Sequence, residues 1–172
     1  MPNMDSIISS HNKRLLRENE KAKKEEIDRN HNCNCQVGAE SCPLNAQCLS
    51  KSIVYKADII SNNESSVYIG LASNTFKERY SNHQSSFNHE KYKDKTGLSK
   101  YIWQLKNNKQ TFKIEWSIAA NAPAYNPAIK RCHLCLTEKT LILYNNHHNL
   151  LNKKSELLGT CRHRKKHLFT CS

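Results

Sequence analysis

The sequence predicts an α+β fold, a small antiparallel three-stranded sheet flanked by helices. Three observations carry that reading. Residues 53–60 (IVYKADII) and 67–71 (VYIGL) are strand-like runs on either side of the turn residues Ser61, Asn62, Asn63, Glu64 and Ser65. Residues 112–118 (FKIEWSI) alternate cleanly and read as a third strand. Elsewhere apolar residues recur at helical spacing. Cysteines ahead of this core and Lys/Arg clusters outside it add a zinc-stapled N-terminal segment and basic tails.

Three regions follow in chain order. Residues 1–30 read as a polar, basic arm, with 7 Lys/Arg and 5 Asp/Glu between Lys13 and Arg29. Leu15, Leu16, Ala22 and Ile27 give it only a weak helical period, so a marginal, frayed helix is expected. Residues 31–52 are cysteine-rich. Cys33, Cys35, Cys42 and Cys48, with His31 beside them, are close enough to converge on a tetrahedral zinc ion. That stretch is too polar to fold by burial, which also favours a metal staple.

Residues 53–172 form the main domain. Ile53, Tyr55, Ala57 and Ile59 share one face of the first strand; Val67, Ile69 and Leu71 share one face of the second, with Tyr68 and Gly70 on the other. A short polar connection makes the pair an antiparallel hairpin. Thr75 and Glu78 fit a capping box for the next helix, whose stripe is Phe76, Tyr80, His83 and Phe87. A second helix is expected over residues 98–106 and a third over 131–145, with Leu134, Leu141 and Ile142 on the inner face of the latter.

The chain has 172 residues, 37% of them hydrophobic, which is low for one compact globule and implies solvated ends. A net charge of +12 favours a polyanionic partner, most simply DNA. No apolar run approaches the ~18 residues that span a bilayer. The N-terminus lacks the apolar core of a signal peptide. The expectation is an intracellular, nuclear protein without a membrane partner, whose thiols stay reduced and serve zinc.

Among the chemically capable residues, Glu138 stands out, because a carboxylate on a buried stripe is costly to desolvate unless it is paired or meets a metal. One hard oxygen ligand from a helix suits Mg²⁺ or Mn²⁺ at a phosphoryl site. Arg79 offers a permanent fork of donors to a phosphoryl group. His83, one turn on, can take a proton or orient a hydroxyl. Tyr55 and Tyr68 lie on adjacent strands, and a phenol with pKa near ~10 needs a cationic neighbour to act in catalysis.

The order and spacing of these residues resemble the GIY-YIG endonucleases. Ile53-Val54-Tyr55 stands where the family has Gly-Ile-Tyr, and Tyr68-Ile69-Gly70 matches Tyr-Ile-Gly outright. Arg79 follows Tyr68 by eleven residues, His83 follows Arg79 by four, and Asn152 follows Glu138 by fourteen. The likeness covers about residues 53–155, with Ile53 standing in place of the first glycine. More narrowly, residues 42–44, 53–57, 98–103, 131–139 and 151–153 resemble the endonuclease module at the C-terminal end of retroelement polyproteins.

The resemblance implies a metal-dependent DNA endonuclease that nicks target DNA for a mobile element, derived from or part of a larger reverse-transcriptase polyprotein. It implies that Glu138 holds Mg²⁺ or Mn²⁺, that Tyr55 assisted by His83 activates water, and that Tyr68 orients it. Arg79 then stabilises the phosphoryl charge, and Asn152 fixes the local geometry.

A second cluster, Cys132, Cys135, Cys161 and His163, has zinc-ligand chemistry and ties the Glu138 helix to the C-terminal stretch, with His167 or Cys171 able to replace His163. Residues 162–166 and the loop 91–95 supply candidate phosphate contacts. The competing expectation is a non-catalytic, zinc-containing module that grips nucleic acid without cutting it.

Overall fold

A computed structural model describes residues 3–27, 33–35, 41–62, 64–123, 125–161 and 163. Among these, helix α1 runs Met4–Ile27, strand β1 Ile53–Ser61, β2 Glu64–Ala72, α2 Phe76–Asn88, α3 Gly97–Asn107, β3 Phe112–Asn121, α4 His133–Leu143 and α5 Lys154–Leu158. A 3₁₀ turn at Glu90–Tyr92 links α2 to α3. The fold is α+β with one three-stranded antiparallel sheet in the order β2-β1-β3.

Strand β1 lies at the centre of the sheet, with one face apolar from Ile53 to Ile59 and the other carrying Val54 beside a Lys56–Asp58 ion pair. Ile53, Tyr55, Ala57 and Ile59 point into one core with Phe76 and Phe87 of α2 and Leu98 and Ile102 of α3. Val54 points the other way, joining Val67, Ile69 and Leu71 of β2 and Leu134, Cys135 and Ile142 of α4. The sheet is therefore covered by α2 and α3 on one face and by α4 on the other. The first core also takes in Cys42, Leu44 and Cys48, so the cysteine-rich stretch packs against the sheet domain.

The hairpin is tighter than the turn residues imply. Ser61 pairs with Glu64 and so closes the connection, and Asn62 takes a φ of 40°. Asparagine tolerates that left-handed geometry, and such turns match the twist of paired strands. The outer edge of β2 does not face solvent bare. Residues 149–151 run beside it, with the Val67 N–H donating to the Asn149 carbonyl at 3.0 Å and the Leu151 N–H donating to the Val67 carbonyl at 2.8 Å.

Three sequence expectations are corrected. The arm is a 24-residue helix rather than a marginal one: nothing between residues 4 and 27 is glycine or proline, and Asn3 accepts from the Asp5 N–H at its start. The Thr75 capping box is half made, because Thr75 accepts from the Glu78 N–H while the Glu78 carboxylate takes the Asn74 amide at 3.2 Å. The third helix begins at His133, leaving Cys132 outside it as the N-cap residue. Among the described residues no helix is long and apolar enough to cross a membrane.

Candidate functional site

Register brings the two strand tyrosines to one face. Tyr55 pairs with Gly70, and Ala57 pairs with Tyr68. The Tyr55 ring lies across Gly70, where a Cβ would fall on its hydroxyl and stand 2.6 Å from Cζ, so only glycine fits. Helix α2 crosses the same face and delivers two side chains one turn apart. Arg79 Nε donates to the Tyr55 hydroxyl at 3.0 Å, and His83 Nε2 sits 2.7 Å from that hydroxyl. The phenol oxygen can thus accept from the guanidinium while its own hydrogen goes to the imidazole.

An aromatic box closes around His83. Phe87 stacks on its ring at 5.9 Å, Trp116 lies at 5.4 Å, and Tyr55 and Tyr68 meet it edge-on at 5.8 and 6.0 Å. Burial first, then Arg79 and Lys95, push the imidazole down to about 3, so it is neutral at working pH. Tyr68 is held well above the usual phenol range by burial first, then by the charges of Tyr55 and Glu156, and remains a hydrogen-bond donor. Tyr55 is fully buried and Arg79 partly so.

Glu138 enters from the other side. Helix α4 packs on the face opposite α2, yet the Glu138 carboxylate, 7% exposed, acts electrostatically on both Tyr68 and Arg79. Burial opposes the charge of Arg79, but Tyr55, Tyr68 and Glu138 outweigh it and raise its pKa. Since β2 is the edge strand of the sheet, groups from both faces can meet beside it. Glu138 lines a cleft of about 180 Å³ between α4 and α5, with Glu156, Cys135 and Cys161 on its other walls.

Asn152 is placed on the β2 edge. Its Oδ1 accepts from the Ile69 N–H at 2.9 Å, and its Nδ2 donates to the Ile69 carbonyl at 2.7 Å and to Glu156 Oε2 at 2.8 Å. Both amide hydrogens are spent, so this side chain shapes the site and does not reach beyond it.

The two cysteine clusters also assemble. Cys33, Cys35, Cys42 and Cys48 form one set of ligand atoms within 4.8 Å of one another, and Cys132, Cys135, Cys161 and His163 form the other. A Zn–S bond near ~2.3 Å puts tetrahedral neighbours about 3.7 Å apart. The Sγ separations are 3.6 and 3.8 Å in the first set and 3.6 Å in the second, where His163 Nδ1 lies 3.2 to 3.7 Å from the three sulfurs. Each set could hold one zinc ion.

In the first set burial resists ionisation, but the Leu44 backbone and the Cys33 thiol bring Cys42 down to about 7. Burial, then Cys33, pushes Cys48 up to about 12. Without a cation the cluster thus favours one thiolate, and a metal must supply the charge for the rest. Tyr125 stacks on the His163 ring at 6.1 Å. His31, His167, Cys171 and, save for His163, the basic stretch 162–166 lie outside the described residues.

No protein-family model, curated protein or solved structure matches this chain.

All fourteen candidate residues therefore fall into three gatherings: the β2-edge site and two metal-ligand sets. The site offers a polarised phenol, a half-buried cation and a cleft carboxylate, which suits proton transfer beside an anionic oxygen. Two of its members escaped sequence reading. Trp116 looked like one more strand residue. Glu156 sits in a stretch that reads only as basic; its available signal was its place four residues after Asn152 and three after Lys153, whose N–H it accepts at 3.1 Å.

Proposed function

We propose that this chain is a metal-dependent DNA endonuclease of the GIY-YIG kind. The observation that supports it most is the convergence on Tyr55 of Arg79 at 3.0 Å and His83 at 2.7 Å, with Tyr68 and the charge of Glu138 beside them. The donor set fits a hard divalent ion: Glu138 gives a carboxylate on an open cleft, the ligand type that Mg²⁺ or Mn²⁺ takes. Bound there by Glu138, such an ion supplies positive charge for a phosphate oxygen.

The chain's own residues carry the rest. Water gives a proton to the Tyr55 oxygen as the Tyr55 hydroxyl passes its own to His83 Nε2. The resting imidazole is neutral and ready to accept. Burial opposes its protonation most, then Arg79 and Lys95, and the anionic phosphate offsets the charge of those two cations. Arg79, the partly exposed member of the trio, binds the phosphoryl oxygens and marks the side from which DNA approaches. Tyr68 donates a hydrogen bond toward the reacting group. Lys91 and Lys95, ranged over the Tyr92 ring at 4.6 and 5.2 Å, contact the DNA backbone nearby.

On this reading the protein nicks target DNA for a mobile element, comes from a reverse-transcriptase polyprotein and works in the nucleus. The test is direct. Purified protein should convert supercoiled plasmid to open circles in Mg²⁺ or Mn²⁺ and leave it intact without a divalent ion. Absence of nicking in both ions would overturn the proposal. It would favour the second reading, a zinc-containing module that binds nucleic acid without cutting, which the complete burial of Tyr55 favours.

A further inference from the structure

Glu156 is in contact with both a site tyrosine, Tyr68, and the site asparagine, Asn152. Its Oε2 is anchored twice, by Asn152 Nδ2 at 2.8 Å and by the Lys153 N–H at 3.1 Å. Those contacts leave Oε1 turned toward the Tyr68 hydroxyl, which donates to it at 3.5 Å. Glu156 also lines the cleft that Glu138 lines. The helix that carries it, α5, has only five residues and cannot set a side chain by its own packing. The two N–H anchors do that instead.

We propose that Glu156 is a positioning residue: it locks Asn152 against the edge of β2 and sets the Tyr68 hydroxyl as a hydrogen-bond donor. The proposal rests on the endonuclease reading for its catalytic meaning, while the contact itself does not. The chemistry separates the two jobs. A glutamine at this position has one acceptor oxygen and one NH₂. With the oxygen taking the two anchors, the NH₂ faces Tyr68 and reverses that hydrogen bond. Alanine removes both contacts.

The experiment compares wild type, Glu156→Gln and Glu156→Ala in the full chain, with plasmid nicking, DNA binding and thermal melting read together. Glu156→Gln should melt like wild type and bind DNA with unchanged Kd, yet lower the single-turnover nicking rate roughly fivefold, the net size of one ordinary hydrogen bond. Glu156→Ala should lose activity and also melt lower. A Glu156→Gln protein that nicks at the wild-type rate would overturn the proposal, because a merely structural role is preserved by glutamine.

A second readout needs no cleavage. With 3-fluorotyrosine incorporated and the Tyr68 resonance assigned by Tyr68→Phe, ¹⁹F NMR should show this phenol titrating at lower pH in Glu156→Gln. An unchanged titration would refute the contact. If wild type never nicks but the titration shifts, the endonuclease reading fails and the positioning contact stands.

Discussion

The two halves of the site are built on different physical terms. Tyr55, Arg79 and His83 hang from β1 and α2, the first and last buried in the core and Arg79 half-buried at its rim, and β1 is paired along its whole length on both sides. Glu138, Asn152 and Glu156 hang from α4, an edge segment and a five-residue helix. That second half is held by backbone bonds to Val67, by the Lys139 ammonium donating to the Gly159 carbonyl at 2.6 Å, and by the Cys132–Cys135–Cys161–His163 set that flanks it. Burial fixes the tyrosine half; beside the carboxylate half lie four residues that could hold a zinc ion. On the proposed reading, the proton-transfer groups keep their place without a metal while the carboxylates depend on one.

The largest effect should come from breaking that set of four. Cys161→Ser should lose one of two zinc ions by elemental analysis, and amides of residues 150–158 should exchange at least ~100-fold faster, a local loss of about 3 kcal/mol. Amides of β1 should stay protected. Unchanged exchange over 150–158 would mean that the cluster is not what holds this half.

Two glycines sharpen the contrast. A Cβ at Gly70 falls on the Tyr55 hydroxyl and ring, in the rigid half. Gly70→Ala should cost about 1–3 kcal/mol in denaturant melts.

The next effect is a pH dependence of the buried half. His83 sits at about 3 when folded, against an ordinary value of 6.5. The unfolded chain therefore binds a proton that the folded one refuses. Stability is full above 6.5 and is lost as pH falls from there toward 3, by about 1 kcal/mol over the first unit. His83→Gln should flatten that slope; a slope that persists unchanged would assign it to other groups.

Gly97 probes the other half. A Cβ there falls on the Leu151 carbonyl, a backbone group held to the β2 edge by the Leu151 N–H bond to the Val67 carbonyl, so Gly97→Ala must displace that edge segment or the start of α3. A cost of about 1–3 kcal/mol in denaturant melts is expected, as at Gly70. A cost of only a few tenths of a kcal/mol would show that the edge segment yields more readily than the buried half.

The same division decides what could be read from sequence. The tyrosine half is periodic: Tyr55 and Tyr68 follow strand alternation, and Phe76, His83 and Phe87 follow a helical stripe, so their shared face was legible. The carboxylate half is not periodic. Glu138 was legible because its neighbours Leu134 and Ile142 are apolar at helical spacing. That α4 covers the opposite face of the sheet was not, since no local pattern encodes which face a helix takes. Glu156 was invisible because five residues carry no period and its partners lie in tertiary space. The arm's helix was underrated because a polar sequence shows little stripe even when its intrinsic propensity is high.

The central claim is that the buried phenol network and the cleft carboxylate serve one phosphodiester bond. Glu138→Ala tests it most directly, with plasmid nicking and salt-dependent DNA binding measured on the same preparation. The account predicts that nicking in Mg²⁺ disappears while Kd and its salt slope stay as in wild type. Nicking that survives the substitution, or binding that falls with it, would contradict the account.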